Sequence, residues 1–282
     1  MSIAQQVFDA KWIANGFPKA GTHLLSMMLQ PIAPPTPSTE SGFLAAPWAG
    51  THADNSWTGD RMPLEWTCFK AGRVANAHQI KAHLAYDEDI DRFLYLLGAN
   101  HIMIYRDLRD VAVSQAFHIL NSRVKTLLHP DRGRYMKLGS FDAILLAVIE
   151  GLDEFLGIIE RWENFAPWLD VDWVLPVKYE DLLDDPYFWA DKIFKYGMKR
   201  QVSLYSYKGE GLKLSFDKVG TAAVIDAMAK FAVQKEKSPT YRKGVSGEWK
   251  ERFYPVHIDA FKKADKNRWL VKLGYERDEW YE

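Results

Sequence analysis

The segment WIANGFPKAGTH, residues 12–23, decides the fold class of this 282-residue chain. Its first six residues form a short apolar run that predicts a strand, and the residues that follow predict a helix over Thr22–Leu29. Between the two, Gly21 allows a tight turn, and the first amides of the helix point out of its N-terminus. Lys19 and the hydroxyl of Thr22 would reinforce an anion site there. The residues alone leave two interpretations open, a phosphate-binding loop and an ordinary strand-to-helix turn.

Strand and helix patterns alternate along the rest of the chain. Such alternation is typical of a parallel sheet covered by helices on both faces, with ligands at the carboxyl ends of the strands. The sequence therefore predicts a three-layer α/β fold with a central parallel sheet and a phosphate-binding loop after the first strand. Further strands are predicted at 79–84, 101–105 and 173–177, and helices at 108–120, 141–165, 186–196, 222–234 and 257–273.

Composition excludes several classes of protein. Thirty-six Lys and Arg against 37 Asp and Glu give a net charge of −1, so a long-range basic field for nucleic acid or an anionic membrane is absent. Cys68, the single cysteine, cannot form an internal disulfide. The first residues do not form a signal peptide, and no apolar stretch approaches the roughly 18 residues of a membrane span. We expect one cytoplasmic domain over residues 1–282, with its oligomeric state open.

The segment Gln30–Pro63 is rich in proline and glycine, which excludes a long helix or a central strand there. Phe43, Trp48 and Trp57 interrupt it, whereas disordered linkers are usually poor in aromatic residues. A long loop of this kind is more often a lid or a binding loop. We interpret it as an acceptor loop, and a domain boundary is the alternative.

A second motif, YRDLRDVAVS at residues 105–114, follows the apolar run at 101–105. Arg106 stands just past that predicted strand, where it is well placed to hold a second phosphate, and Ser114 lies two helical turns further on. The alternative is that Arg106 only forms a local salt bridge with Asp110. Arg109 is expected to be a solvated charge.

Two further stretches carry candidate functional residues. In KAHL, residues 81–84, strand alternation puts Lys81 and His83 on one face. A lone histidine is more often structural than catalytic. The spacing between His78 and His83 suits no pair of zinc ligands on a helix. In YRKGVSGEWK, residues 241–250, two glycines and two adjacent cations predict a mobile basic loop that closes over an anion. The alternative is a plain surface loop.

The order and type of these motifs resemble the cytosolic-type sulfotransferase family. The matching pieces are FPKAGTH, KAHL, YRDLRDVAVS, VKYEDL at 177–182 and RKGVSGEWKERF, and the resemblance runs from about Trp12 to Leu273. It implies that 3′-phosphoadenosine 5′-phosphosulfate (PAPS) is the sulfuryl donor. The acceptor would be a hydroxyl or amine of a small molecule, and no metal would be needed.

The resemblance also implies a role for each matching residue. Lys19 would touch the bridging oxygen of the donor, and His83 would be the general base, with Lys81 beside it near the transferred group. Tyr179 would approach the adenine. The 5′-phosphosulfate would be held by Lys19, Ala20, Gly21, Thr22 and His23, and the 3′-phosphate by Arg106, Ser114, Arg242, Lys243 and Gly244.

The sequence departs from the family pattern at several positions. His23 replaces a second Ser or Thr, Leu24 stands where many animal members carry an adenine-stacking Trp, and Ala82 and Ala85 replace the Thr and Pro of KTHLP. Phe231 is the candidate for the remaining adenine contact.

Two rival functions are considered. A small-molecule kinase should contain GxxxxGK[ST], which the chain lacks, and a non-catalytic nucleotide-binding protein would lose Lys19 and His83. The acceptor is not identified, although the aromatic content of 14% favours a planar or apolar molecule over a bare sugar.

Overall fold

A parallel sheet of five strands organises the part of the chain that the computed structural model describes, residues 9–36, 43–46, 68–69, 71–121, 132–153, 155–207, 218–233 and 244–282. The order of the strands across this sheet is β2-β3-β1-β4-β7, and β5 and β6 form a separate antiparallel hairpin. The described strands are β1 (Trp12–Gly16), β2 (Phe43–Ala46), β3 (Gln79–Leu84), β4 (Asn100–Tyr105), β5 (Gly151–Leu152), β6 (Phe155–Leu156) and β7 (Leu175–Lys178).

Helices cover both faces of the sheet. Short 3₁₀ helices lie at Ala166–Asp170 and Asp278–Tyr281. The described α-helices are α1 (Thr22–Leu29), α2 (Glu88–Leu96), α3 (Leu108–Asn121), α4 (Arg132–Met136), α5 (Phe141–Glu150), α6 (Ile158–Glu163), α7 (Tyr179–Asp184), α8 (Pro186–Tyr207), α9 (Lys218–Val233), α10 (Trp249–Arg252), α11 (Pro255–Ala264) and α12 (Trp269–Lys272).

Alternate residues of the central strands enter two separate hydrophobic cores. Trp12 and Ala14 of β1 pack against α1, α8 and α9, whereas Ile13 between them packs against α3, α5 and α6 on the other face. Every residue of β1 is buried, as expected of a strand with helices on both sides. Trp162 and Trp168 are fully buried as well, so part of the high aromatic content fills the cores. The three-layer α/β prediction is confirmed.

The single helix predicted over 141–165 is wrong. Helix α5 ends at Glu150, the hairpin β5–β6 follows, and α6 starts only at Ile158. Gly151 has a φ of 99°, and a Cβ there would lie 2.7 Å from the carbonyl oxygen of Phe155. A Cβ on Gly157 would lie 2.6 Å from the carbonyl oxygen of Ile149. The two glycines therefore permit a hairpin where the apolar spacing suggested one long helix.

The helix predicted over 257–273 is also wrong, because the chain forms two helices there. Helix α11 ends at Ala264, and the side chain of Asp265 accepts hydrogen bonds from the backbone N–H of Trp269 at 2.8 Å and of Leu270 at 3.3 Å. An acidic side chain that satisfies the first amides of a helix marks a new start. Arg268, with a φ of 52°, makes the turn between the two helices.

The proline-rich segment Gln30–Pro63 lies only partly within the described residues. Among the described strands, β2 of this segment pairs only with β3 and so lies at the edge of the sheet, in agreement with the exclusion of a central strand. Residues 37–42 and 47–63 lie outside the described residues. Among the helices that the structure describes, none combines the length and apolar character needed to cross a membrane.

Candidate active site

The carboxyl ends of four neighbouring strands bring the predicted site residues to one edge of the sheet. In the parallel register, Gly16 at the end of β1 pairs with Ile104, and Tyr105 at the end of β4 pairs with Lys178 of β7. On the side of β1 opposite β4, strand β3 pairs with β1 and ends at Leu84. Lys19, His83, Arg106 and Tyr179 follow or close these strands, so the topology places them at the same edge.

The loop after β1 turns through two residues of positive φ. Lys19 has a φ of 73° and Gly21 a φ of 110°. The N–H of Ala20 donates to the carbonyl oxygen of Phe17 at 2.9 Å and closes the turn. A Cβ on Gly21 would lie 2.5 Å from Cδ2 of Tyr179, so only glycine fits against that ring. The Tyr179 side chain is 6% exposed and packs against the loop at Gly21.

The start of α1 has the features of an anion site. Thr22 is 3% exposed, and its Oγ1 has no hydrogen-bond partner within the described residues. The N-cap residue Gly21 supplies no side chain to satisfy the first amides of the helix. A buried hydroxyl and helix N-terminal amides together form a cradle that suits a phosphate oxygen. Of the two interpretations left open by the sequence, this geometry favours the phosphate-binding loop.

His83 is oriented by a hydrogen bond to the main chain. Its Nδ1 lies 2.7 Å from the carbonyl oxygen of Gly16 at the end of β1. A carbonyl oxygen can only accept, so Nδ1 carries the proton in the neutral ring and Nε2 has a lone pair. This is the tautomer that a general base acting through Nε2 requires.

Burial and nearby cations keep this histidine neutral. Burial, followed by the nearby charges of Lys19, Arg161 and Lys81, lowers the pKa of His83 to about 4, against the raising effect of its bond to the Gly16 carbonyl. Burial, followed by Lys81, His83 and Lys19, lowers the pKa of His23 to about 3. Burial also lowers the pKa of Lys81. At neutral pH both imidazoles are therefore uncharged.

The pH profile of activity should reflect this lowered pKa. If His83 is the general base that the family resemblance implies, activity is lost as the pH falls through its pKa of about 4, because only the neutral ring accepts a proton. We expect kcat/KM to show no inflection near 6.5, the unperturbed value, and to fall only on the acid side of about pH 5. The measurement is a pH–rate profile with circular dichroism in parallel, since the lowered histidine pKa values also reduce stability at acid pH. The variant His78→Ala is the control, and an inflection near pH 6.5 would contradict the prediction.

Arg106 links the end of β4 to residues 244–247, which are called the glycine loop below. Its Nη2 donates to the carbonyl oxygen of Val245 at 2.6 Å and lies 3.3 Å from Oδ2 of Asp110, and its guanidinium stacks 4.5 Å from the centre of the Tyr179 ring. The local salt bridge offered as the alternative is thus present, and the contact with Val245 brings Gly244 to the same place.

The described contacts of Arg106 do not include the remaining residues predicted to hold the 3′-phosphate. Ser114, half-buried on α3, is not among the contacts of Arg106. Arg242 and Lys243 lie outside the described residues.

Asp110, which the sequence suggested only as a partner of Arg106, holds the glycine loop in place. Its carboxylate accepts from the backbone N–H of Gly247 at 2.6 Å and of Trp249 at 3.0 Å, and the hydroxyl of Ser246 lies 3.5 Å away. The side chain of Asp110 has no exposed surface. The spacing of four residues from Arg106 near the start of a helix predicted the ion pair between them. Nothing in the sequence indicated that Asp110 also binds the glycine loop.

The expectation that Arg109 is a solvated charge is wrong. Its side chain is 2% exposed and pairs with Asp107 at 2.7 Å and with Glu276 at 2.5 Å. Its guanidinium stacks 3.6 Å from the ring centre of Trp249. Arg109 is buried because the C-terminal segment folds over the start of α3 and supplies the second carboxylate.

Asn15 is a positioning residue that sequence reasoning missed. Its side-chain amide donates to the carbonyl oxygen of Leu84 at 3.0 Å, and its Oδ1 accepts from the N–H of Leu84 at 2.8 Å and of Gly16 at 2.9 Å. These bonds fasten the end of β1 to the end of β3. Since His83 stands one residue before Leu84, Asn15 sets its distance from the loop after β1.

Comparison with known proteins identifies the family. The sequence model described as "Sulfotransferase domain" matches residues 9–272, which is nearly the whole chain. The chain belongs to the sulfotransferase family. A curated relative, sulfotransferase 1 family member D1 of Rattus norvegicus, is 26% identical over 174 residues, which cover 57% of this chain and 51% of that protein. The match thus spans about half the length of this curated relative.

Solved structures share the sulfotransferase fold. Mouse sulfotransferase SULT7A1 complexed with PAP superposes with a TM-score of 0.55 at 16% identity, covering 94% of this chain and 86% of that one. Retinol dehydratase in complex with androsterone and the inactive cofactor PAP gives a TM-score of 0.52 at 15% identity, covering 96% and 82%. These likenesses support the α/β fold of this family member over almost all of its length.

Proposed function

We propose that this protein is a PAPS-dependent sulfotransferase that moves a sulfuryl group to a hydroxyl or amine of a small-molecule acceptor. The observation that carries the proposal is one constellation at the carboxyl edge of the sheet. There, Lys19 lies on the loop after β1, and Thr22 begins α1 with a buried hydroxyl that has no hydrogen-bond partner among the described residues. A neutral, oriented His83 lies one residue before the end of β3. Membership of the sulfotransferase family and two similar structures that hold PAP support it.

The residues present fit the two phosphate ends of the donor. The turn at Gly21 and the hydroxyl of Thr22 would receive the 5′-phosphosulfate, with Ala20 and His23 beside them. Arg106, tied to Val245, would hold the 3′-phosphate together with Gly244. We extend the proposal to Ser114, Arg242 and Lys243 on the 3′ side and to Tyr179 near the adenine, as the family resemblance implies.

The chain's own residues would supply alignment and charge. PAPS supplies the sulfuryl group. Nε2 of His83 would take the proton from the acceptor while the new bond to sulfur forms, a contribution of about 10²–10⁴ in rate. Lys19 would neutralise the charge on the bridging oxygen as its bond to sulfur breaks, an effect of about 3–4 kcal/mol for a comparable donor. Lys81 would stabilise the sulfuryl oxygens during transfer.

The rival functions find no support. A small-molecule kinase needs GxxxxGK[ST], and the lysine of the loop after β1 precedes the glycine instead of following it. A non-catalytic nucleotide-binding protein has no use for a half-buried histidine held in the tautomer of a base. Incubation with PAPS and a panel of phenols, alcohols and amines, with mass detection of sulfo adducts, tests the proposal. PAP binding without any adduct would favour the non-catalytic protein.

Nucleotide affinity tests the role of Arg106. PAP should bind the parent protein far more tightly than AMP, because AMP lacks the 3′-phosphate. Arg106→Ala should weaken PAP about tenfold to a hundredfold, the worth of a hydrogen bond to a charged group, and change AMP binding much less. Calorimetry gives both constants, with the exposed Arg73→Ala as the control. Equal affinity of the parent for PAP and AMP would contradict this assignment.

We further propose that Gln30–Pro63 forms part of the acceptor pocket of a single domain over residues 1–282. Its described strand β2 runs beside β3, the strand of Lys81 and His83, which supports a place near the acceptor. We propose a cytoplasmic location because the one cysteine is typical of reducing compartments.

A further inference from the structure

Residues 274–276, called the C-terminal strap below, lie against the end of β7. The hydroxyl of Tyr275 donates to Oε2 of Glu180, the second residue of α7, at 2.6 Å. The ammonium group of Lys178, the last residue of β7, lies 4.0 Å from the centre of the Tyr275 ring and 3.5 Å from the carbonyl oxygen of Gly274. The strap therefore packs on the carboxyl edge of the sheet, where the candidate site lies.

Glu180 also contacts the glycine loop. Its other carboxylate oxygen, Oε1, lies 3.3 Å from the hydroxyl oxygen of Ser246. That hydroxyl has one proton to donate, and Oδ2 of Asp110 lies 3.5 Å away. Because the same Oδ2 atom already accepts from the N–H of Gly247 at 2.6 Å, the closer Glu180 is the better acceptor for Ser246. One carboxylate thus joins the hydroxyl of Tyr275 to the glycine loop.

A buried ion pair fixes the strap in place. Glu276 lies 2.5 Å from Nη1 of Arg109, whose side chain is 2% exposed. The Arg109 guanidinium in turn stacks 3.6 Å from the ring centre of Trp249, two residues after the glycine loop. Since Tyr275 directly precedes Glu276, the pair restricts the movement of the Tyr275 hydroxyl relative to Glu180.

The position of the glycine loop decides where Arg106 points. Nη2 of Arg106 donates to the carbonyl oxygen of Val245 at 2.6 Å, and Val245 lies between Gly244 and Ser246. A displacement of Ser246 therefore also displaces the carbonyl that orients this guanidinium. We assign the 3′-phosphate to Arg106 and Gly244, so the contacts of Ser246 bear on the affinity for that phosphate.

We propose that Tyr275 and Glu180 are positioning residues for the 3′-phosphate of PAPS and PAP. This inference rests on the proposed function. Tyr275 holds Glu180 and Glu180 holds Ser246, so that the glycine loop keeps the geometry in which it binds the phosphate together with Arg106. Tyr275 acts through these contacts and not by touching the nucleotide. Its hydroxyl should therefore matter only to ligands that carry a 3′-phosphate.

The nucleotide affinity of Tyr275→Phe gives the first test. The substitution removes one hydroxyl and keeps the ring, and PAP should bind about threefold to tenfold more weakly than to the parent. AMP, which lacks the 3′-phosphate, should bind within about twofold of the parent. Calorimetry measures both constants. The control is Tyr187→Phe, because the Tyr187 hydroxyl lies 3.3 Å from Oδ1 of Asp226 at the surface.

The outcomes separate this inference from the proposed function. A parent-like affinity of Tyr275→Phe for PAP, or equal losses for PAP and AMP, would overturn the inference while the proposed function stands. A parent protein that binds PAP no more tightly than AMP would show that the proposed 3′-phosphate site has failed. The proposed function and the inference would then fall together.

A double-mutant cycle tests the connection through Glu180. Ser246→Ala should weaken PAP binding by a similar factor, and the double variant should bind PAP no more weakly than the weaker single variant, since each removes the same link. Losses that multiply in the double variant would contradict the inference. If Tyr275→Phe does not fold, Ser246→Ala and Ser246→Thr take its place, because Ser246 is exposed. The threonine keeps the hydroxyl and should restore PAP affinity. Parent-like affinity in the alanine variant, or equal losses in both, would overturn the inference.

Discussion

Replacing His83 with alanine should lower kcat by about 10²–10⁴ and leave the affinity for PAP within about threefold. A hydrogen bond of 2.7 Å from Nδ1 to the carbonyl oxygen of Gly16 orients the imidazole, and Nε2 is the proposed proton acceptor. Removal of the ring takes away the base but none of the residues proposed to hold the two phosphate ends. Single-turnover rates and calorimetry with PAP separate the two effects.

The His83 experiment has a matched control within the chain. His78→Ala, which removes a histidine near the opposite end of β3, should leave both quantities unchanged. A purely structural role for His83 would lower PAP affinity and the unfolding midpoint together. A variant that folds normally and turns over at the parent rate would refute the assignment of the base.

Replacing Asp110 with alanine should lower the free energy of unfolding by about 3–5 kcal/mol, the usual cost of breaking a buried ion pair on one side. The buried carboxylate faces Arg106 at 3.3 Å and accepts from the backbone N–H of Gly247 and Trp249. Its loss leaves the buried guanidinium of Arg106 without its counter-charge and two part-buried N–H groups without their acceptor. Because the glycine loop is no longer held, PAP should also bind at least tenfold more weakly.

Urea unfolding and PAP titration measure these two losses. Asp226→Ala removes the acid of another i,i+4 pair, Lys230–Asp226, whose two side chains are 63% and 44% exposed. This control should show no measurable change, since exposed pairs contribute little. If Asp110→Ala does not fold, Asp110→Asn serves, because it keeps one acceptor while losing the charge. Parent-like stability in both variants would show that Asp110 does not anchor the loop.

Elements with a strong local pattern were predictable from the sequence. Helix α1 and strand β3 have the predicted bounds, because their apolar spacing and flanking turn residues act within a few positions. The predicted helix over 141–165 was wrong because the local pattern does not contain the contacts of the folded chain. Its apolar residues have helical spacing, but close backbone contacts at Gly151 and Gly157, formed only in the folded hairpin, end the helix.

The candidate site was also predictable only in part. The sequence could name Lys19, His83 and Arg106 because each stands directly at the end of a predicted strand. It could not show what orients them, since the partner of His83 is a main-chain oxygen 67 residues away and that of Arg106 lies 139 residues away. The interpretation of Arg109 as solvated failed because its carboxylate partner Glu276 is 167 residues further along the chain.

The amino-acid sequence by itself determined the class of fold, the alternation of strands and helices and the types of residue at the strand ends, because periodicity and turn chemistry act locally. The tertiary structure decided which of those residues are buried, which are paired, and which histidines are neutral at neutral pH. Asn15 fastens Leu84 across 69 residues, and Arg161 reaches Gln115 across 46. Burial and through-space charge act over a few ångströms whatever the separation along the chain, so only the folded protein sets the protonation state of His83.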